Sequence, residues 1–224
     1  MADDQEPLDR YRGKRDFART GEPRGGAEDG GEGGGAGGSG AGGTEGTGGK
    51  PHFVVQIHDA RRMHFDFRLQ VGNVLKSWAI PKGPSWDPRD KRLAVPTEDH
   101  PLEYENFEGV IARGEYGGGT VIVWDHGTYQ PRSHDRRGRP VPFGESLERG
   151  HATFWLNGSK LRGEYALTRF RSREDGGNSG EEAWLLVKAK DGHADAGHGT
   201  PDPYRAHSAR TGRTLRQVAE GTDS

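Results

Sequence analysis

Eight short stretches in which apolar and polar residues alternate constrain the fold of this chain more than any other feature. Turn-forming strings such as Val71-Gly72-Asn73 separate the stretches, which lie between residues 51 and 190 and read HFVVQIH, HFDFRLQV, VLKSWAI, KRLAV, GTVIVWD, HATFWL, GEYALTRF and AWLLVKA. A period of two is typical of strands, and no convincing amphipathic helix interrupts the series. We therefore predict a mainly β protein, an antiparallel closed β-barrel with few short helices, rather than a helical bundle or a doubly wound α/β fold.

Glycine divides the chain into regions. Of the 38 glycines, 15 fall within residues 25–49, and apolar residues make up only 29% of the whole sequence. This composition predicts a flexible, disordered linker over 25–49, since a Gly-rich coil buries too little apolar surface to fold. We predict that the barrel domain occupies residues 51–190, and that 191–224 form a polar C-terminal tail with one short helical possibility at Thr214–Ala219. Residues 1–24 form a separate segment that contains the mixed-charge string KRDFARTGEP.

Composition also excludes several functional classes. The chain has no cysteine, so disulfides, thiolate zinc sites and a cysteine nucleophile are excluded. The apolar stretches are too short to span a membrane, and the N-terminus has no apolar signal region. We expect a cytoplasmic protein without membrane partners. The net charge of −2 argues against a broadly basic nucleic-acid coat, although RSHDRRGR (Arg132 to Arg139) could form a local basic patch or a solvated loop.

The segment from Gln56 to Gln70 contains the most informative polar pattern. If His64 to Leu69 form a strand, then His64, Asp66 and Arg68 share one face, and His58 lies within reach of them. Neutral imidazole and carboxylate together suit Mn, Fe or Zn, and an arginine beside a metal can clamp a phosphate. The spacing alone fits a metal site and an ordinary hydrated strand face about equally well.

Two further segments carry polar side chains. TEDHPLEY (Thr97 to Tyr104) places Glu98, Asp99, His100 and Tyr104 in a proline-containing loop after a strand, where functional groups are common. Taken alone, His100 reads more readily as a surface histidine than as a catalytic one. The glycines of GEYGGG resemble a phosphate-binding loop, but no Lys-Ser/Thr pair or helix follows, so they indicate turn geometry.

Several long strings together identify a family. HDARRMHFDFRL, LKSWAIPKGPS, KRLAVPTEDHPLEYENFEGVI, GEYGGGTVIVWD and KLRGEYAL closely resemble the 3′-phosphoesterase module of bacterial nonhomologous end-joining DNA ligases of the ligase D family, which also has stand-alone members. The resemblance covers about 51–190 and extends to KRDFARTGEP. It departs at Ala112-Arg113, where the family pattern has proline and often an acidic residue, and in the long Gly-rich insert.

The resemblance implies a manganese-dependent enzyme that heals DNA 3′ ends, with other divalent transition metals as alternatives to Mn²⁺. Such an enzyme removes a terminal ribonucleoside from a primer strand and then the exposed 3′-phosphate, which leaves a 3′-OH for ligation. Residue by residue, the family's metal ligands fall on His58, His64 and Asp66, and its catalytic residues on His64, Arg68, His100 and Tyr104. Supporting residues fall on Gln56, Arg92 and Glu98, and in the N-terminal string on Arg15, Asp16 and Glu22.

The resemblance also implies partners: DNA primer-template 3′ ends, an end-joining ligase and an end-binding factor, with the protein itself a monomer that joins the nucleoid when it binds DNA. We expect KRDFARTGEP to fold back on the barrel and to pair with groups such as Arg92 or Glu98.

Two alternative functions stay open. His64, Asp66 and a distal His100 also have the form of the facial triad of a non-haem Fe(II) oxygenase in a β-barrel. A DNA-end-binding adaptor without turnover is the non-enzymatic alternative.

Overall fold

Ten strands form one antiparallel sheet in the described part of the chain. The computed structural model describes residues 7–26, 49–171, 182–197 and 199–221. The strands are β1 (His52–Asp59), β2 (Met63–Val71), β3 (Val74–Ile80), β4 (Lys91–Pro96), β5 (His100–Pro101), β6 (Gly109–Ile111), β7 (Gly119–Pro131), β8 (His151–Gly158), β9 (Arg162–Arg171) and β10 (Glu182–Lys188).

Eight of these strands close into a barrel. They follow the order β1-β2-β3-β4-β10-β9-β8-β7, and β7 pairs with β1 to complete the ring. The predicted closed antiparallel barrel is confirmed, and each of the eight alternating stretches is a strand. The short strands β5 and β6 pair outside the ring, with β3 and β7. Sequence periodicity did not detect them because two or three residues are too few to define a period.

The two faces of β1 and β2 pack against different groups. Phe53, Val55 and Ile57 point into the barrel, where they join the main core with Phe65 and Phe67 of β2. Residues at alternate positions point outward. A second apolar cluster covers part of this outer face, and it consists of Tyr11, Val54, Leu75, Tyr104 and Val123. β1 is therefore buried on both faces, and the barrel exterior can hold a desolvated site.

Helices are few and short, as predicted. α1 (Asp9–Gly13), α2 (Phe143–Glu148) and α3 (Leu215–Ala219) have five or six residues each, and a 3₁₀-helix spans Leu102–Asn106. Within the described ranges, none of the helices has the length and apolar character needed to cross a membrane. Of the predicted linker over 25–49, residues 27–48 lie outside the described part of the chain.

The predicted polar C-terminal tail contains buried residues. Ala206, Leu215 and Val218 are buried in the main core cluster. The hydroxyl of Thr214 accepts a hydrogen bond from the N–H of Gln217, and the Gln217 side chain bonds back, so a capping box begins α3. This part of 191–224 is docked on the barrel, because three apolar residues and a cap suffice to hold a mostly polar segment. The short helix indicated at Thr214–Ala219 is present as α3.

Glu108 also fixes the C-terminal segment. Its carboxylate accepts hydrogen bonds from the hydroxyls of Ser208 and Thr211 and from the backbone N–H of Val123 on β7. One carboxylate thus ties the C-terminal segment to a strand of the barrel.

Replacing Leu215 with alanine tests whether this segment contributes to the core. Because the Leu215 side chain is only 4% exposed, we expect L215A to lower the free energy of unfolding by about 2–5 kcal/mol. Urea denaturation measures the change. The neighbouring R216A alters an exposed side chain paired with Glu220, and it should change stability by less than about 0.5 kcal/mol. Equal stability of both variants would show that the segment is a dispensable tail.

Candidate functional site

The candidate site lies on the outer face of β1 and β2. The register pairs His58 with His64, Gln56 with Asp66, and Val54 with Arg68. Because side chains alternate along a strand, the polar members of these pairs all point away from the barrel core. His58 and Gln56 of β1 therefore lie on the same outer face as His64, Asp66 and Arg68 of β2.

His58, His64 and Asp66 form a cluster with the geometry of a metal site. One potential ligand atom from each residue lies within 4.8 Å of the other two. His58 Nδ1 is 3.6 Å from Asp66 Oδ2, and His64 Nε2 is 3.5 Å from Asp66 Oδ1. Both ring nitrogens thus face the same carboxylate.

Backbone carbonyls fix the orientation of both imidazoles. His58 Nε2 lies 2.8 Å from the carbonyl oxygen of Gly117, and His64 Nδ1 lies 2.8 Å from that of Arg62. A carbonyl oxygen only accepts, so each of these nitrogens donates its N–H. In the neutral rings, the opposite nitrogens then direct lone pairs at Asp66. Two lone pairs and a carboxylate around one point fit a divalent cation, and carbonyl-oriented imidazole is common at metal centres.

Arg68 is held beside this cluster by three hydrogen bonds. Its Nε donates to Gln56 Oε1 at 2.8 Å, Nη1 to the Ser77 hydroxyl at 2.9 Å and Nη2 to Asp66 Oδ2 at 3.1 Å. The guanidinium carbon also lies 4.8 Å from the centre of the Tyr104 ring. Of the five guanidinium N–H groups, these bonds use three, so two are left for an anion such as a phosphoryl oxygen.

The ionisable groups of the cluster shift one another's pKa. Burial alone would raise the pKa of Asp66, but the charge of Arg68 and the hydrogen bonds that the two histidines donate when they are protonated outweigh it and hold the pKa well below its usual range. Burial lowers the pKa of His64, but the hydrogen bond and charge of Asp66 reverse this, so the net shift is upward. The carboxylate is therefore ionised and available as a ligand at neutral pH.

His100 and Tyr104 form a wall of the pocket that the candidate metal cluster also lines. His100 Nδ1 donates to the carbonyl of Glu98 at 2.8 Å, which leaves Nε2 as the acceptor facing Arg15 at 3.4 Å. Burial, together with the charges of Arg68 and Arg15, lowers the pKa of His100 well below its ordinary value. The ring is therefore neutral, with a lone pair on Nε2. The His100 and Tyr104 rings pack edge to face with centroids 4.7 Å apart.

The N-terminal string packs against the same wall. Arg15 donates to Glu98 at 3.0 Å and to Glu22 at 2.8 Å, and its side chain is only 4% exposed. Glu22 also accepts from the hydroxyl of Tyr104 at 2.9 Å. Of the two pairings expected for the string, the one with Glu98 is present, and the buried ring of Tyr11 adds an aromatic contact to His100.

The structure brings most of the expected residues together, and two lie apart. One pocket of about 170 Å³ is lined by eight of them: Arg15, His58, His64, Asp66, Arg68, Glu98, His100 and Tyr104. Gln56 and Glu22 bond to members of this set. Arg92 does not line the pocket and pairs with Asp90 at 2.6 Å. Asp16 is exposed, and its carboxylate accepts from the N–H of Ala18 in a local turn.

The structure also adds residues that the sequence did not indicate. Ser77 supports Arg68, while Lys14 bonds both Glu98 and the hydroxyl of Tyr116 at the rim of the pocket. Ser77 could have been found from its place on β3 opposite Arg68. Lys14 and Tyr116 are more than 100 residues apart, and no local pattern links them.

The facial-triad alternative does not match this geometry. Among the described residues, the cluster able to hold a metal contains His58 with His64 and Asp66, and His100 is not part of it. His100 Nε2 instead faces the guanidinium of Arg15. A nitrogen in contact with a buried cation is a poor partner for a second cation.

Comparison with known proteins identifies the family of the chain. Residues 56–169 match the family described as the DNA ligase D 3′-phosphoesterase domain. The chain is 45% identical over 188 residues to the multifunctional non-homologous end joining protein LigD of Pseudomonas aeruginosa, an alignment that covers 84% of this chain and 19% of that protein. It is 41% identical over 162 residues to the LigD DNA repair protein of Mycobacterium tuberculosis, with 72% of this chain and 18% of that protein covered.

The chain thus spans about a fifth of the length of these relatives. The matched region contains His58, His64 and Asp66, together with Arg68 and the loop of His100 and Tyr104. The chain belongs to the DNA ligase D 3′-phosphoesterase domain family.

Proposed function

We propose that this protein is a manganese-dependent phosphoesterase that heals DNA 3′ ends for nonhomologous end joining. The observation that carries the proposal is the cluster of His58, His64 and Asp66 beside the buried guanidinium of Arg68. A cation site next to a phosphate-binding arginine suits phosphoryl chemistry. The names of the relatives, which describe end joining and DNA repair, supply the biological context.

The proposed reaction has two hydrolytic steps. In the first, water cleaves the P–O5′ bond to a terminal ribonucleoside, which releases the nucleoside and leaves a 3′-phosphate. In the second, water cleaves the P–O3′ bond, which releases inorganic phosphate and leaves a 3′-OH. A divalent ion held by His58, His64 and Asp66 would polarise the phosphoryl oxygens and offset their negative charge.

Arg68 would bind the phosphoryl group in both steps. Arg68 lines the pocket and is buried, and charge-assisted hydrogen bonds from a buried guanidinium to phosphate are strong. The bonds to Gln56, Ser77 and Asp66 hold the guanidinium in place before substrate arrives. Little reorganisation is then needed when negative charge develops on the phosphoryl oxygens.

His100 would act at the phosphoryl group from the wall of the pocket that it forms with Tyr104. Because its pKa is lowered, the free enzyme carries neutral His100, whose Nε2 can accept a proton or a hydrogen bond but cannot donate one. Because Nε2 already faces the Arg15 guanidinium at 3.4 Å and the pKa of the ring is lowered, His100 suits the orientation of groups around the phosphoryl centre better than proton transfer to a leaving group or from water. The roles of Tyr104, Glu22 and Arg15 are to fix this ring and the loop that carries it.

The size of the pocket supports action at an end rather than along a strand. The pocket, about 170 Å³ in volume, is smaller than the roughly 300–1,000 Å³ of typical ligand sites, which suits a phosphoryl group at a strand end with the attached nucleoside and strand outside the pocket. We propose a primer-template 3′ end as substrate, with an end-joining ligase and an end-binding factor as functional partners and the cytoplasm as location.

The activity is tested on a duplex whose primer ends in one ribonucleotide. We expect Mn²⁺ to support conversion to a 3′-phosphate and then to a 3′-OH, and EDTA to abolish both products, as resolved on a sequencing gel. The same primer made wholly of DNA with a 3′-OH is the control and should stay intact. A ladder extending many nucleotides inward from that control, or full activity in EDTA, would overturn the proposal.

Metal binding is tested separately by thermal unfolding with and without Mn²⁺. At 100 times the dissociation constant, bound metal adds about 2.7 kcal/mol of stability, which should raise Tm by about 5–10 °C. We expect H64A and D66N to lose this increase and the end-processing activity. H151A removes an exposed histidine outside the site and should keep both. An unchanged Mn²⁺-dependent increase in H64A would rule out this ligand set.

The N-terminal string is tested by deletion. Removing residues 1–24 takes away Arg15 and Glu22, and it leaves Glu98 and Tyr104 without these partners. We expect loss of most activity while circular dichroism still reports a folded barrel, because the main core does not include this segment. Deleting about half of 25–49 should cost little, since loop-closure entropy changes by only about 0.6 kcal/mol per halving of length.

Point variants separate the role of Arg15 from that of the segment as a whole. R15A leaves two buried carboxylates without their main partner, whereas R10A changes an exposed residue of α1. Activity should fall at least tenfold in R15A and stay unchanged in R10A. Wild-type turnover by the protein lacking residues 1–24 would show that the string has no role in the site.

A further inference from the structure

A second cleft adjoins the metal pocket. It is lined by residues 59–61 at the β1–β2 connection and by residues 113–115 and 117–119, and its volume is about 580 Å³. The cleft and the metal pocket share Ala60 and Gly117. Since the carbonyl of Gly117 also orients His58, the cleft begins directly at the metal ligands.

Exposed arginines lie at this cleft. Arg61 on the turn and Arg113 on the loop line it, and Arg62 follows Arg61 in the chain; all three are exposed. In the ranges that the structure covers, no acidic side chain forms an ion pair with any of them. Glu115, one of the two carboxylates at the cleft, is already paired with Arg19 at 3.1 Å. Positive charge therefore exceeds negative charge at the cleft.

Glycines keep the floor of the cleft open. A Cβ on Gly119 would lie 2.3 Å from the carbonyl oxygen of Asp59, so only glycine lets the loop pack this closely on the turn. Gly117 and Gly118 add no side chains at the surface. An extended polyanion could thus approach the protein backbone at the floor of the cleft, between the arginines of the turn and the arginine of the loop.

We propose that this cleft binds the sugar-phosphate backbone of the DNA strand whose 3′ end is processed, with Arg61, Arg62 and Arg113 contacting its phosphates. The inference rests on the proposed function and names how its substrate is held. The metal pocket is too small for a nucleotide chain, so the strand must leave it through a neighbouring surface. The adjoining cleft has the size, the charge and the open floor that this requires.

The loop Arg132 to Arg139 is the competing basic surface, and it lies at the opposite end of β7 from the cleft. The strand between them has 13 residues, which corresponds to about 40 Å of extended chain. Arg139 is paired with Asp135 at 2.8 Å, and Arg132 lies over the ring of Trp155. This loop provides a matched control, because Arg136 and Arg137 are also an exposed adjacent arginine pair.

The test compares R61Q/R62Q and R113Q with R136Q/R137Q in the full chain. Binding of a fluorescent 3′-phosphorylated primer-template is measured by anisotropy in EDTA from 50 to 200 mM KCl. Affinity decreases with salt, and the magnitude of the slope of log affinity against log salt should decrease by about 0.7–0.9 for each phosphate contact removed. Hence R61Q/R62Q should lose about 1.4–1.8 and R113Q about 0.7–0.9 in slope, while the control keeps the wild-type value.

Kinetics provide the second readout. In Mn²⁺, the cleft variants should raise KM several-fold at 150 mM KCl with kcat unchanged at saturating substrate, since their arginines do not touch the reacting phosphoryl group. An unchanged salt slope in both cleft variants, or a loss confined to R136Q/R137Q, would overturn the inference. Binding in EDTA needs no turnover, so the two proposals can fail separately. If the wild type binds DNA without hydrolysing it, and the cleft variants bind DNA more weakly than the wild type, the proposed function is contradicted and this inference stands.

Discussion

The buried ion pair between Arg68 and Asp66 is the interaction on which the rest of the site depends. A guanidinium that is 2% exposed on the outside of a barrel needs a full set of partners, since an unpaired buried charge costs several kcal/mol. Those partners come from β1 (Gln56), β2 (Asp66) and β3 (Ser77). Because the same Asp66 carboxylate faces both histidines, the arginine that would bind phosphate and the residues that would bind metal cannot move independently.

Burial of this pair in turn requires a cover. The barrel interior is filled with aromatic and aliphatic side chains, so the site lies on the exterior and would face water unless other segments packed over it. The loop of His100 and Tyr104 provides part of the cover, and the N-terminal string provides the rest through Arg15. Buried ion pairs such as Arg15 with Glu98 contribute little net stability, but they disfavour other arrangements because a misplaced partner leaves a buried charge.

Period-two alternation was sufficient to predict the eight barrel strands and to place His64, Asp66 and Arg68 on one face. It could not predict the neighbour relations across strands, so Ser77 was missed although it lies opposite Arg68. The composition of the C-terminal region suggested a tail, because Leu215 and Val218 are too few to stand out in a polar segment. Family resemblance supplied Arg92 and Asp16 as supporting residues, but their contacts here are local, with Asp90 and Ala18. A local sequence pattern predicts which side chains share one face of a strand. The register between strands and the docking of the terminal segments decide which of these faces come into contact.

The tautomers of the two metal-site histidines depend on backbone rather than on side chains. His64 donates to the carbonyl of Arg62 on its own turn, so its orientation follows from the β1–β2 connection. His58 donates to Gly117 in a loop whose close packing on Asp59 requires the glycine at position 119. The direction of the His58 lone pair therefore depends on Gly119, although the His58 ring makes its hydrogen bond with Gly117. The glycines of GEYGGG thus serve turn geometry, as the sequence indicated, and through that geometry they also orient a candidate metal ligand.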